Sequence, residues 1–196
     1  MALLCALSAP LGAQEGSLRR LTGPEKAQLL AIAREPLDAS LEGRPIRDPT
    51  VGDRLLAVHP LLVSLYLEGK LVARCFELQR PGPLAIQAMS LAARLLESPQ
   101  YGAAPDPAVL PGAKIAVAIL GRFKEIESDL DLREGEGVVV LSGFKEGVAV
   151  WGDLAPGQGA KDLLSLASVV AGMRPGGWLT PSATLLSAPA DEARER

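Results

Sequence analysis

The stretch from Leu61 to Phe76 constrains this chain most. Leu61 to Leu67 (LLVSLYL) runs into Glu68-Gly69 and then into Lys70 to Phe76 (KLVARCF). Two short runs of strand-forming residues separated by two residues, the second a glycine able to take positive φ, predict a β-hairpin. The first run is apolar at nearly every position. Both of its faces must therefore be covered, which predicts an inner strand of a sheet. With Glu68-Gly69 as a two-residue turn, Leu67 faces Lys70, and an uninterrupted register places Cys75 opposite Leu62. Side chains alternate between faces, so Arg74 points away from Cys75 and shares its face with Val63, Val72 and Phe76. His59 then falls beyond Leu62 and on the other face from Cys75. A bulge or a one-residue slip would change that arrangement.

The remaining elements are placed by caps and breakers. A first helix is expected from Pro24 to Ala39, with Thr22 as N-cap, Pro24 in the first turn and Glu25 in reach of a capping box. Pro36 should end or kink it. Pro83 to Glu97 is rich in strong helix formers and predicts a second helix. Ser98 to Gly112 reads as a long proline-bearing loop. Lys114 to Leu120 reads as a strand, and Gly137–Leu141 with Gly147–Trp151 as a second hairpin. Lys161 to Ala171 predicts a third helix, with Gly172 as its C-cap. Leu179 to Ser187 can supply a last strand, followed by a charged, frayed tail at 191–196. The order helix, hairpin, helix, strand, hairpin, helix predicts an α+β fold: a largely antiparallel sheet flanked by about three helices, with or without a small second lobe.

Composition narrows the function classes. Of the 196 residues 48% are hydrophobic but only 4% aromatic, so the core must be aliphatic. That scarcity of rings argues against a base-stacking platform, and a net charge of -3 against a phosphate-binding surface. No run approaches the roughly 18 uninterrupted apolar residues of a membrane span. Residues 1–16 carry the apolar, small-residue stretch Ala2 to Ala13 (ALLCALSAPLGA) and a passable cleavage site at Leu11-Gly12-Ala13. This is read as an export signal lacking its basic start, so that the domain spans 17–190 and is exported or periplasmic. The other reading is an N-terminal helix packed on the core of a cytoplasmic protein. If the signal is removed, Cys75 is the sole cysteine and no internal disulfide is available.

Several blocks, in order, resemble the AmmeMemoRadiSam system protein A family, the AMME candidate region domain. LLAIAREPLDASLEG (Leu29–Gly43) is similar to that family's opening segment. LLVSLYLEGKLVARC (Leu61–Cys75) is similar to its strand, turn and LRGCIG strand. PLAIQAMSLAARLLESPQY (Pro83–Tyr101) resembles its central helix and the Asp-Pro-Arg-Phe turn after it. AKIAVAILGRFKEI (Ala113–Ile126), GVVVLSGFKEGVAVWGDLAPGQG (Gly137–Gly159) and LASVVAGMRPGGW (Leu166–Trp178) resemble the strand, hairpin and helix that follow. The motifs are worn. LRGCIG becomes Leu71-Val72-Ala73-Arg74-Cys75-Phe76, the Asp-Pro-Arg-Phe turn becomes Ser98-Pro99-Gln100-Tyr101, the Leu-Pro-Gln-Val after the last hairpin becomes Trp151-Gly152-Asp153-Leu154, and the family's Cys-x-Lys becomes Ser168-Val169-Val170. The resemblance implies association with a Memo-like protein and a radical SAM enzyme. It also implies a cleft whose polar equipment this chain has largely lost.

The candidate site residues follow from both readings. Arg74, Cys75, Lys70, Gln100 and Tyr101 are the candidates for a binding cleft beside the Lys70–Phe76 strand and the Ser98–Gly112 loop. Cys75 is the one weak catalytic candidate, since a nucleophilic thiol needs a nearby base or cation to depress its pKa. An inert, buried cysteine is the other reading. Arg74 is either an anion anchor matching the family's motif arginine or an arginine whose stem packs while its head reaches solvent. The acidic stretch Glu125 to Glu136 fails as a calcium loop because Arg133 stands where a ligand is needed. One histidine and one mature cysteine cannot build a zinc site, so no metal or cofactor is expected. Trp151 and Trp178 are read as packing residues, with Trp178 clamping the last helix onto the sheet. Two functions remain: a non-catalytic binding or scaffold module for a partner protein or small ligand, and a cysteine-dependent enzyme or redox protein using Cys75 beside Arg74.

Overall fold

The computed structural model describes residues 18–195. The export signal expected at residues 1–16, with Cys5, lies outside them. Helix α1 spans Gly23–Glu42, α2 Leu84–Glu97 and α3 Ala160–Val170. The strands are β1 Leu61–Leu67, β2 Lys70–Glu77, β3 Tyr101–Gly102, β4 Lys114–Leu120, β5 Lys124–Ile126, β6 Glu136–Ser142, β7 Lys145–Val150 and β8 Thr184–Arg194. All pairings are antiparallel, in the order β3-β2-β1-β4-β8-β6-β7, with β5 also on β8. This is the α+β architecture expected, with three α-helices against one sheet.

The helices form where their caps predict. At the start of α1 the Glu25 carboxylate accepts from both the backbone N–H and the hydroxyl of Thr22, at 2.7 and 2.8 Å. Pro36 neither ends nor leaves this helix: it is buried among Leu29, Ile32, Ala33 and Leu37, and the helix continues to Glu42, where Gly43 takes φ 62°. The α3 terminus is closed by Gly172 at φ 69°, with Met173 N–H on the Ser168 carbonyl at 2.9 Å.

The sheet curls, and this creates three apolar clusters. One face of β1, β2 and β4 packs on α1 and α2 through Leu61, Val63, Leu65, Cys75, Val117 and Ile119. One face of β6, β7 and β8 packs on α3 through Val138, Val140, Ala149 and Leu185. The remaining faces turn inward on each other, with Leu62, Phe76, Leu120, Val139, Val148 and Ala188 in one cluster. Strand β8 joins the halves. Its residues 184–189 pair with β6, and Ala190–Arg194 pair with β4.

Three expectations need correction. The last strand does not stop at Ser187, and residues 191–194 are not a frayed tail, because Asp191–Arg194 continue β8. Asp191 is 5% exposed. Its carboxylate accepts from Leu21 N–H at 2.6 Å and pairs with Lys26 at 2.5 Å, so the charge is carried inward with its partners. The domain therefore extends beyond residue 190. The loop at Ser98–Gly112 contains β3 and a 3₁₀ turn at Pro107–Gly112.

The third correction concerns register. Glu68 and Gly69 form the turn with φ 50° and 77°, and Leu67 faces Lys70 as expected. A bulge then intervenes: Tyr66 pairs with Leu71 but Leu65 pairs with Ala73, leaving Val72 as the extra residue. Beyond it Cys75 lies opposite Val63, and Arg74 opposite Ser64. Val72 and Ala73 both belong to the helix-backed face, while Leu71 turns to the interior. Arg74 thus shares its face with Ser64 and Tyr66, not with Val63 and Val72.

Candidate functional site

Because the sheet curls, its first and last long strands, β2 and β7, face one another across a seam with no backbone ladder between them. Arg74 closes one part of this seam. It is fully buried, and its guanidinium donates to Ser64 Oγ at 2.8 Å, to the Val148 carbonyl of β7 at 2.8 Å, and to Asp153 Oδ1 at 2.5 Å. Asp153 stands on the turn after β7 and is itself sealed from solvent. Its other oxygen accepts from Val150 N–H at 2.8 Å, and Tyr66 OH donates to Oδ1. Burial works against charge on both partners, but each holds the other ionised. The Arg74 guanidinium keeps Asp153 below the usual carboxylate range, and Asp153 keeps Arg74 protonated. At the rim Arg194 stacks over the Tyr66 ring at 4.3 Å, donates to its hydroxyl at 3.0 Å and pairs with Glu192 at 2.9 Å. Burial pushes both the Tyr66 phenol and the Glu192 carboxyl up. All three guanidinium nitrogens of Arg74 are engaged by protein groups, and Arg194 is paired with Glu192 and Tyr66. The arrangement is a clamp, and it presents no open anion anchor.

Cys75 lies on the opposite face of β2, fully buried in the cluster under α2. Burial pushes its thiol up, the reverse of what nucleophilic activation requires. His59 lines a different cavity, one that Cys75 does not line. Lys70 is exposed beside the turn.

Gln100 and Tyr101 have another position. Strand β3 contributes only two residues, pairing with Ala73 and Arg74. Past it the edge of β2 has no strand neighbour among the described residues. Instead the Gln100 side-chain oxygen accepts from Phe76 N–H at 2.6 Å, doing what a strand carbonyl would do. Between this edge and the start of β7 opens a groove of about 530 Å³. Phe76, Gln100 and Tyr101 form one wall. Phe144, Glu146 and the end of α3 at Val170–Gly172 form the other. Phe144, at the tip of the β6–β7 hairpin, is 99% exposed. Helix α3 reaches the groove because Gly147 lets it approach β7: a Cβ there would stand 2.1 Å from the Ala167 carbonyl oxygen.

The groove lining carries one acid, Glu146, and one base, Lys145. Burial and the neighbouring Glu77 carboxylate push Glu146 up. Lys145 donates to the Gly172 carbonyl at 3.1 Å and keeps its charge.

Ser64, Tyr66, Asp153, Glu192 and Arg194 were not among the sequence candidates. Ser64 and Tyr66, spaced by two in an otherwise aliphatic strand, were the legible sign of a polar face. Asp153 and Arg194 offer no local signal. Trp178 packs in the cluster under α3, and Trp151 joins it while its Nε1 donates to the Arg133 carbonyl at 2.7 Å. Among the described residues no group of acidic, histidine and cysteine side chains is arranged to hold a metal, and no helix is long and apolar enough to cross a membrane.

No family model and no curated protein matches the chain. Among solved structures it is similar to the crystal structure of an uncharacterized protein from Pyrococcus horikoshii. The TM-score is 0.70 at 16% sequence identity, covering 88% of this chain and 92% of that one. At that identity the likeness extends to the fold: the curled sheet with its helices is an architecture this chain shares over nearly its whole length.

Proposed function

We propose that this chain is a non-catalytic binding module, a divergent relative of the AmmeMemoRadiSam system protein A family, and that it receives an extended segment of a partner protein in the groove between β2 and β7. The observation that carries the reading is that, among the described residues, both lips of the groove are strand edges without a strand partner, one of them capped by the Gln100 side chain. An exposed edge is a template for a further strand, and backbone hydrogen bonds there supply affinity without chemistry. Glu146 stands beside the Glu77 carboxylate, and a basic side chain on that segment would relieve their repulsion, flanked by apolar residues for Phe76, Tyr101 and Phe144. The deeply placed Cys75 and the fully engaged Arg74 give the cysteine-enzyme reading no comparable support.

The test uses two synthetic peptides of about seven residues, a usual strand length, alternating Val and Thr around a central Arg or a central Glu. Backbone amide shifts of the intact protein are followed by NMR. The Arg peptide is expected to move Phe76, Gln100–Gly102 and Lys145–Glu146, and Glu146→Gln is expected to weaken it. Equal responses to both peptides, or none at these amides, would refute the reading.

A further inference from the structure

A second cavity, of about 160 Å³, lies where the loop before β1 passes the start of α2. Five of its eight lining residues are apolar: Leu18, Leu21, Ala57, Leu84 and Ile119. The other three are Arg19, Arg54 and His59. The apolar wall is firmly held. Leu18 packs against Gly121, and the Ala57 carbonyl accepts from Leu84 N–H at 3.0 Å. His59 is the chain's one histidine. Its Nδ1 is buried and has no hydrogen-bond partner among the described residues. A buried polar atom in that condition is costly unless something fills the space beside it. Of the two arginines, Arg54 is partly committed, donating to Glu25 at 3.2 Å. Arg19 is exposed and has no ion pair among the described residues.

Apolar walls, an unmatched imidazole nitrogen and two cations specify one kind of molecule. A fully hydrophilic anion such as phosphate would leave the walls unused, and a neutral hydrocarbon would leave His59 unpaired. A cavity of about 150 Å³ accommodates roughly six apolar heavy atoms. We propose that this cavity binds a small monocarboxylate with a compact apolar tail of about that size. The tail lies against Leu21, Leu84 and Ile119. The carboxylate reaches Arg19 and the free donors of Arg54, with one oxygen on His59 Nδ1.

The single histidine makes the test direct. The full chain is titrated with 4-methylpentanoate while the His59 imidazole resonances are followed by NMR. A saturable shift with Kd on the order of 1 mM or tighter is expected. The apparent pKa of His59 should also rise on saturation, because a carboxylate beside it favours the imidazolium. Acetate, which lacks the tail, and 4-methylpentanamide, which lacks the charge, should each bind at least about tenfold more weakly, the equivalent of about 1.4 kcal/mol. Arg19→Gln, at an exposed position, should weaken binding severalfold. Ala57→Phe should fill the cavity and abolish it, with an unchanged unfolding midpoint showing that the fold survives. A shift that grows linearly without saturating overturns the proposal. So does an equal response to the amide, or no response because water or upstream chain already fills the cavity.

Discussion

Cys75 and Arg74 are neighbours in sequence and both fully buried, yet they live in opposite environments. Cys75 is packed in an aliphatic cluster under α2, and among the described residues only the Gln100 backbone and the Arg94 charge bear on its thiol. Around Arg74 lie Ser64, Tyr66, Asp153 and a carbonyl of the far strand. One face of β2 is held by the hydrophobic effect, which is indifferent to small changes of direction. The other is held by charge-assisted hydrogen bonds, which demand geometry. The difference teaches what the curled sheet needs. Its two halves have helices to pack on, but where β2 meets β7 no ladder joins them among the described residues, and the Arg74–Asp153 pair takes the ladder's place.

The sharpest way to break this comparison is to remove one charge. Asp153→Ala leaves Arg74, Tyr66 OH and Val150 N–H without their acceptor in a sealed site, and should cost about 3–5 kcal/mol in urea unfolding. Arg74→Met with Asp153→Leu removes both charges and should recover most of that loss, since a buried pair is often replaceable by apolar residues of similar volume. If the double variant is no better than the single, the clamp is not a pair. The pH dependence follows from the Asp153 shift. Its folded pKa lies below its unfolded value, so the stabilisation is fully present above the ordinary carboxylate pKa. It is lost as pH falls through the folded value. Glu192, shifted the other way, partly opposes this below neutrality. The acid limb of stability should therefore be steeper in the native chain than in Asp153→Ala.

Next in size is Gly147→Ala. The added methyl would meet the Ala167 carbonyl oxygen and the Ala171 amide at 2.1 and 2.4 Å, so α3 must move off β7. A loss of about 1–3 kcal/mol is expected by thermal or urea unfolding. Binding of the Arg peptide should fall further than stability does, because the end of α3 forms a groove wall. On the aliphatic face the expected effects are smaller. Cys75→Ala should cost about 1 kcal/mol through lost packing, and iodoacetamide should leave Cys75 unmodified until the chain is denatured. Rapid labelling of the folded protein, with an apparent pKa below that of a free thiol, would reverse the contrast between the two faces.

Much of the fold was legible because its signals were local. The Glu68-Gly69 turn, the Thr22–Glu25 cap and the helix formers of 84–97 each determine their own segment. The site was legible only in part. Gln100 and Tyr101 line the groove beside β2, but the chemistry around Arg74 was misjudged by one residue of register. The bulge at Val72 coincides with a contact far away in sequence: Gly102, at φ 83°, lies so close that a Cβ there would stand 1.9 Å from the Val72 carbonyl oxygen. Periodicity cannot register such a contact. Arg194 and Asp153 were invisible for the same reason, since they reach Tyr66 and Arg74 from 128 and 79 positions away.

The smallest expected effect tests whether turn and bulge act independently. Glu68 holds φ at 50°, in the left-handed region where a side chain other than Asn, Asp or Gly is disfavoured. Glu68→Asn keeps a two-residue turn and suits that conformation better, so it should stabilise the chain by up to about 1 kcal/mol in thermal unfolding. Because the register changes only past Tyr66, the pairing of Arg74 with Ser64 should be untouched and the acid limb unchanged. A Glu68→Asn variant whose acid limb moves would mean that the turn, and not the Val72–Gly102 contact, sets which face of β2 carries the charge.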